Sequence, residues 1–161
     1  MYFLTLDTNV IMEHWKNQKN ASIVEKLLEL AINGNIDLAI TSRIHEDVPN
    51  LPLSERINQL EILHINEIPS VTRLDYWKIG RDILGDDIFI NCVKSIIEEL
   101  AKGNQKPPDW RDFDHLHAHF LLKRDAFLTW DKGILNISSI LNEKLGIVIM
   151  CPEKFLKSYS R

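Results

Sequence analysis

Short apolar segments alternate with longer amphipathic segments along the chain. The segments that favour buried β-structure cover residues 2–6, 36–41, 126–130 and 147–151, with a weaker candidate at residues 64–68. Strands that are apolar on both faces are typical of a parallel sheet covered by helices on its two sides. The pattern therefore predicts an α/β protein, a three-layer α/β/α fold with a central, mainly parallel sheet.

The amphipathic segments predict the helices between these strands. The strongest covers residues 22–33, where Ser22 is suited to cap the helix, Glu25 to complete a capping box and Gly34 to end it. Further helices are predicted from Val10 and at residues 42–48, 54–63, 71–84, 86–101, 112–123 and 134–144. Two of these follow one another directly, which places extra helices in the middle of the chain.

The composition is that of one ordinary globular domain. The chain has 161 residues, 45% of them hydrophobic and 26% charged, which is enough to bury a core without disulfides. The one linker-like stretch, residues 103–108, is short, so a single domain over residues 1–161 is predicted. Cys92 and Cys151 are far apart in apolar surroundings, and we expect both to be free thiols.

The sequence predicts a cytoplasmic protein that does not enter the membrane. Its N-terminus has no basic start, and no run approaches the roughly 18 apolar residues that a membrane helix needs. The formal net charge of -4 argues against a binder that relies on neutralising phosphates alone. It does not exclude a nuclease, because clustered catalytic acids count as negative until a bound metal offsets them.

Four acidic residues fall where a parallel sheet places its binding site. Asp7 and Asp131 directly follow predicted strands, Glu46 begins the helix after the second strand, and Asp114 lies in the first turn of its own helix. Any one of them could be an ordinary turn or helix-start residue. Ligands bind outside the carboxyl ends of parallel strands, so all four together predict an acidic site. Carboxylates alone suit hard cations such as Mg²⁺ and Mn²⁺.

These acids lie in four motifs, which occur in order along the chain. They are D-T-N-V at residues 7–10 after an apolar strand, S-x-x-x-E at residues 42–46, D-H-L-H-A at residues 114–118, and T-x-D at residues 129–131. In this order and setting, the motifs resemble those of the PIN-domain nucleases, including the VapC-type toxins. The resemblance covers residues 3 to about 150 of the chain.

The resemblance implies a metal-dependent ribonuclease with a PIN-like fold. It assigns Mg²⁺ or Mn²⁺ to Asp7, Asp114 and Asp131, with Glu46 completing the acidic pocket. It also implies that Asn9 and Thr129 orient these acids or contact the scissile phosphate. The partners that it implies are RNA, a second copy of the chain in a homodimer and, in the toxin branch, a protein antitoxin.

The third motif departs from the family pattern. His115, His117 and His119 stand where small apolar residues are usual, and Asp112 could take the role of Asp114. Two histidines four residues apart share a helix face, as in many zinc sites, but the sequence shows no third ligand. Packed or solvated histidines are the ordinary interpretation, with His117 or His115 a candidate contact to the RNA backbone beside the metal.

Other functions of an acidic α/β site fit the sequence less well. A phosphatase with an aspartyl nucleophile needs an acid two residues after Asp7, where this chain has Asn9. A phospho-receiver domain needs two adjacent acids near the end of its first strand, and residues 1–12 contain no such pair. A nucleotide-binding enzyme is disfavoured because the sequence has neither a P-loop nor a G-x-G-x-x-G motif. The alternative that remains is a catalytically silent PIN-like module that binds RNA or protein.

Overall fold

A computed structural model of the protein describes residues 1–47, 63–66, 87–104 and 106–159. Five described segments are strands, and each overlaps a segment for which the sequence predicts a strand. They are β1 Tyr2–Leu6, β2 Ile36–Thr41, β3 Leu63–Asn66, β4 Ala126–Leu128 and β5 Ile149–Met150.

The described helices are α1 Thr8–Trp15, α2 Ala21–Ile32, α3 Ile44–Asp47, α4 Asp87–Lys102, α5 Trp110–Leu121, α6 Lys132–Asn136, α7 Ser138–Leu145 and α8 Pro152–Tyr159. The prediction at residues 86–101 is confirmed by α4, whereas those at residues 54–63 and 71–84 lie outside the described residues. The single helix predicted at residues 134–144 is wrong, because the backbone leaves the helical range at Ile137 and separates α6 from α7. None of the described helices is long and apolar enough to cross a membrane.

The strands form one parallel sheet in the order β3-β2-β1-β4-β5. The central strand β1 pairs with β2 on one side, where Tyr2 is opposite Ile36, and with β4 on the other, where Leu4 is opposite Ala126. The strand order therefore reverses direction between β1 and β4, which makes this position the topological switch point of the sheet. In open α/β sheets, ligands bind at the carboxyl ends of the strands that flank this point.

Helices pack on both faces of this sheet, which confirms the predicted three-layer α/β/α fold. Side chains of β4 show the division, because Leu128 belongs to the core beneath α1, α2 and α8, while Phe127 belongs to the core beneath α4, α5 and α7. This alternation follows the two-residue period of a strand. Both predicted free thiols, Cys92 and Cys151, are confirmed as unbridged.

The ends of α2 test the predicted capping signals. The helix begins one residue early, with Asn20 at the N-cap position, so the capping box predicted for Ser22 is wrong. Its end is confirmed: Gly34 has a φ of 69°, and the amides of Gly34 and Asn35 donate to the carbonyls of Ala31 and Leu30. A glycine adopts this left-handed conformation without the steric cost of a Cβ atom.

Arg124 joins the amino-terminal ends of β1 and β2. Its guanidinium donates to the carbonyl oxygens of Leu4 and Asp37, at 2.9 Å each, and pairs with the Asp37 carboxylate. Only 9% of the Arg124 side chain is exposed.

We expect Arg124→Met to lower the free energy of unfolding by about 2 kcal/mol, since buried acceptors lose their donor.

Urea unfolding followed by circular dichroism measures this loss. Lys26→Met, at an exposed position of α2, is the matched control and should change the free energy of unfolding by less than about 0.5 kcal/mol. An Arg124→Met protein as stable as the wild type would show that water replaces these hydrogen bonds without cost.

Candidate functional site

An open cavity lies at the carboxyl edge of the sheet, where β1, β2 and β4 end. Its volume of about 400 Å³ is within the range of small-ligand pockets. Most of the side chains that line it are acidic or polar. They are Asp7, Thr8, Asn9, Asp47, Asp109, Arg111, Asp112, His115 and Asp131.

Asp7 is fixed at the floor of this cavity by the ends of β1 and β4. Its side chain is only 6% exposed, and its Oδ2 accepts hydrogen bonds from Asn9 Nδ2 at 2.8 Å and from Thr129 Oγ1 at 2.5 Å. The amide of Asn9 also donates to Thr129 Oγ1, and its carbonyl oxygen accepts from the backbone of Trp130. The structure therefore brings the predicted residues Asn9 and Thr129 together around Asp7.

Asp131 is held at the opening of α6. Its Oδ1 accepts from the backbone amide of Ile134 at 2.9 Å, while its own amide donates to Thr129 Oγ1 at 2.8 Å. A Cβ atom added at Gly133 would lie 3.0 Å from Asp131 Oδ1. The T-x-D sequence thus connects Asp131 to Asp7 through one threonine hydroxyl.

The third acid on the cavity wall is Asp112. Helix α5 begins at Trp110 and not at residue 112, because Asp109 is its N-cap: the Asp109 side chain accepts from Arg111 N, and Asp112 Oδ2 accepts from Asp109 N at 2.8 Å. This capping box turns Asp112 into the cavity. The sequence carried the signal, an aspartate three residues before a second one and directly after Pro108.

Asp114, the acid that the family resemblance assigns, contacts a different partner. Its Oδ2 accepts from Arg43 Nη1 at 2.9 Å, and 17% of its side chain is exposed. The fourth predicted acid, Glu46, has its backbone in α3, but its side chain lies outside the described residues.

Asp47 also lines the cavity, and none of the four sequence motifs predicts it. Its Oδ2 accepts from Thr8 Oγ1 at 2.8 Å and contacts His115 Nε2 at 3.0 Å, and Arg43 lies 3.7 Å from its Oδ1. On the other side of the imidazole, His115 Nδ1 is 2.5 Å from Thr41 Oγ1. The two contacts of His115 join residues 68 and 74 positions apart, so spacing along the chain does not reveal them.

The other two histidines of α5 are buried apart from the cavity. His119 Nδ1 is 2.9 Å from Thr5 Oγ1 on β1. The ring of His117 is fully buried and stacks on Phe89 of α4, with ring centroids 4.4 Å apart. The structure therefore places His117 in the core, whereas the sequence offered it as an RNA contact. His115 and His119 also contact different strands, so they do not form a zinc pair.

Burial and mutual repulsion act on the protonation of the cavity acids. Burial is the main cause that raises the pKa of Asp7; the charges or hydrogen bonds of His115, Thr129 and Thr8 oppose it, and the charge of Asp131 adds to it. Burial is also the largest cause that raises the pKa of Asp112, to about 6, and the charges of the neighbouring aspartates raise it further. The hydrogen bond from the Asp109 N–H acts in the opposite direction.

Asp47 shows the opposite balance. Burial acts to raise its pKa, but hydrogen bonds from His115 and Thr8 and the charges of His115 and Arg43 hold the pKa below the usual value. The cavity thus contains one carboxylate whose pKa is lowered by its hydrogen-bond partners and by Arg43 and, beside it, two carboxylates whose pKa is raised by burial. Positive charge placed near Asp7 and Asp112 would relieve their repulsion.

The donor chemistry of the cavity fits a hard divalent cation. Asp7, Asp112 and Asp131 offer carboxylate oxygens, which Mg²⁺ and Mn²⁺ prefer. Among the side chains that the structure describes, no three acidic, histidine or cysteine groups are already arranged as a metal site. The residue types that line the cavity fit the cation that the family resemblance implies.

Fold and site together define an α/β protein with an acidic cavity at the switch point of a parallel sheet. No protein-family model matches the chain, and no curated protein does. A chain of VapBC2 from Rickettsia felis, solved with a DNA fragment from its promoter, is similar to it, with 13% identity and a TM-score of 0.56 over 92% of this chain and 98% of that one. A chain of FitAcB from Neisseria gonorrhoeae is 20% identical, with a TM-score of 0.45 over 92% and 97%. The VapBC2 likeness shows a shared fold.

Proposed function

We propose that this protein is a metal-dependent endoribonuclease that hydrolyses RNA phosphodiester bonds at the acidic cavity. The observation that carries the proposal is the meeting of Asp7, Asp112 and Asp131 on one open cavity at the carboxyl edge of the sheet. Their elements come from separate parts of the chain, and the repulsion between the three carboxylates is relieved when a cation binds. The four-motif resemblance to PIN-domain nucleases supports the same function.

In this proposal Asp7, Asp112 and Asp131 hold Mg²⁺ or Mn²⁺, and Glu46 contributes a further acid, as the resemblance implies. Asp112 replaces Asp114 among the ligands, because Asp114 is engaged by Arg43. Asn9 and Thr129 keep the Asp7 carboxylate in one orientation, since both donate to the same oxygen. When bound, the cation would supply activated water and stabilise charge on the leaving oxygen.

Arg111 gives the cavity a cation that can face the substrate. Its side chain is exposed, and it lines the cavity one residue before Asp112. A guanidinium in this place suits a bidentate contact to an RNA phosphate. Cavity acids and a flanking arginine together suit a phosphodiester better than a neutral ligand.

The proposal extends to the biological setting. The VapBC2 chain, which shares the fold, comes from a toxin–antitoxin complex, and this supports a role as the toxin of such a pair, inhibited by a protein antitoxin. A homodimer and a cytoplasmic location belong to the same proposal. Size-exclusion chromatography with light scattering, on this chain alone and together with the product of an adjacent gene, tests both assemblies.

Cleavage of a mixed RNA pool tests the enzymatic function. The wild-type protein is incubated with Mg²⁺, with Mn²⁺ and with a chelator, and Asp7→Asn is purified in parallel to exclude a contaminating ribonuclease. Glu29→Gln, which changes an exposed carboxylate on α2, is the matched control and should cut like the wild type.

Two outcomes separate the candidate functions. Cutting that needs the cation and Asp7 supports the nuclease. A protein that neither cuts the pool nor binds Mn²⁺ in calorimetry contradicts it, and the catalytically silent PIN-like module that binds RNA or protein then takes its place.

A further inference from the structure

His115 lies where three separate parts of the chain meet beside the cavity. It is on α5, one turn after Asp112, and only 3% of the residue is exposed. Its Nδ1 is 2.5 Å from Thr41 Oγ1 at the end of β2, and its Nε2 is 3.0 Å from Asp47 Oδ2 on α3. A carboxylate can only accept, so Nε2 carries the proton and Nδ1 accepts from the Thr41 hydroxyl.

The part of the cavity wall that Asp47 forms depends on this imidazole. Of helix α3 the structure describes Ile44–Asp47, and the stability of such a helical segment comes mainly from its tertiary contacts. Asp47 is joined to α5 by His115 and to the residue after Asp7 by the Thr8 hydroxyl, at 2.8 Å. Without the imidazole, Asp47 keeps the contacts to Thr8 and Arg43 but loses its only direct hydrogen bond to α5 among those that the structure describes.

We propose that His115 is a positioning residue of the cavity: by holding Asp47, it fixes the wall formed by α3 relative to the carboxylates of Asp7 and Asp112. This inference rests on the proposed nuclease function. It gives a purpose to a histidine that departs from the small apolar pattern of the third motif. The residue itself does not touch the reacting atoms, because both ring nitrogens are engaged by protein groups.

Two amide variants separate positioning from simple packing. The amide of His115→Gln reaches the place of Nε2 and can still donate to Asp47, whereas the shorter amide of His115→Asn reaches the place of Nδ1 and keeps only Thr41. Both variants are neutral and polar. We expect kcat for RNA cleavage to fall by about 10- to 100-fold in His115→Asn, the range seen when groups that support a metal site from outside its ligand set are lost.

We expect His115→Gln to retain kcat within about threefold of the wild type, because an amide N–H replaces the imidazole N–H toward Asp47. KM should change little in either variant, since Arg111 and the proposed metal ligands Asp7, Asp112 and Asp131 are unchanged. Thermal unfolding of both variants provides the second readout. If His115 had only a packing role, both variants would be less stable than the wild type, and their kcat values would be similar to each other.

A double-mutant cycle with Asp47→Asn completes the test. If His115 acts through Asp47, His115→Asn has no further effect on kcat once Asp47 is already changed. If the two effects multiply, or if Gln and Asn reduce kcat equally while the wild type cuts RNA, the positioning role is overturned and the nuclease function stands. If the wild type neither cuts RNA nor binds Mn²⁺, the nuclease function fails and this inference fails with it.

Discussion

Asp112→Asn is expected to lower the rate of metal-dependent RNA cleavage on the order of a hundredfold. A bound cation lowers the activation free energy by several kcal/mol, and each ~1.4 kcal/mol corresponds to a tenfold change in rate. Asp112 lines the cavity with Asp7 and Asp131. Asp114→Asn, two residues along the same helix, should leave the rate within about threefold of the wild type, since Asp114 is not among the residues that line the cavity and its amide oxygen can still accept from Arg43.

Helix geometry gives the reason for this difference. Successive residues of an α-helix are rotated by about 100°, so side chains two positions apart point in nearly opposite directions. Asp112 and His115, three positions apart, share the face of α5 that meets the cavity, and both line it. Asp114 does not line the cavity and pairs with Arg43.

Single-turnover cleavage at several Mn²⁺ concentrations compares the two variants. Asparagine at position 112 can still accept the hydrogen bond from the Asp109 amide, so the capping box of α5 is kept and unfolding does not explain a loss. Weaker Mn²⁺ binding by Asp112→Asn in calorimetry would connect the loss to the cation. The reverse result, with Asp114→Asn inactive and Asp112→Asn active, would restore the assignment that the family resemblance gives.

The sheet and the edge at which the site lies could be predicted from the sequence. Strand signals are local: four of the five described strands are short, mainly apolar runs, and β3 alternates apolar and polar residues. Once the strands are parallel, the residues after β1 and β4 must meet, and Asp7 and Asp131 do meet at one cavity. The first and fourth motifs were therefore sufficient to find the site.

The choice of the third acid could not be settled from spacing alone. It depends on where α5 begins, and a shift of two residues in a helix start exchanges the faces on which Asp112 and Asp114 lie. The pairing of His115 with Asp47 is harder still, because it joins residues 68 positions apart through side-chain contacts. Helix α8 was missed although Pro152 at its first position is a usual start signal.

Acid should destabilise the protein through His119, which is buried between α5 and β1. Burial, helped by the positive charge of Arg124 and opposed by Asp125, lowers the pKa of His119 from 6.5 to about 4. Protonation therefore favours the unfolded chain: this contribution is fully present above pH 6.5 and is lost as the pH falls toward 4. The loss amounts to about 3 kcal/mol, at ~1.4 kcal/mol for each tenfold change in proton affinity.

His119→Asn isolates this contribution, because its amide takes the place of Nδ1, keeps the contact to Thr5 and does not titrate. Urea unfolding is measured for both proteins at intervals from pH 7 to pH 4. The raised pKa of Asp112 acts in the opposite direction in part of this range, but it acts equally on both proteins. The wild type should therefore lose about 3 kcal/mol more than the variant, whereas parallel pH profiles would show that the buried imidazole is protonated in the folded protein as easily as in the unfolded chain.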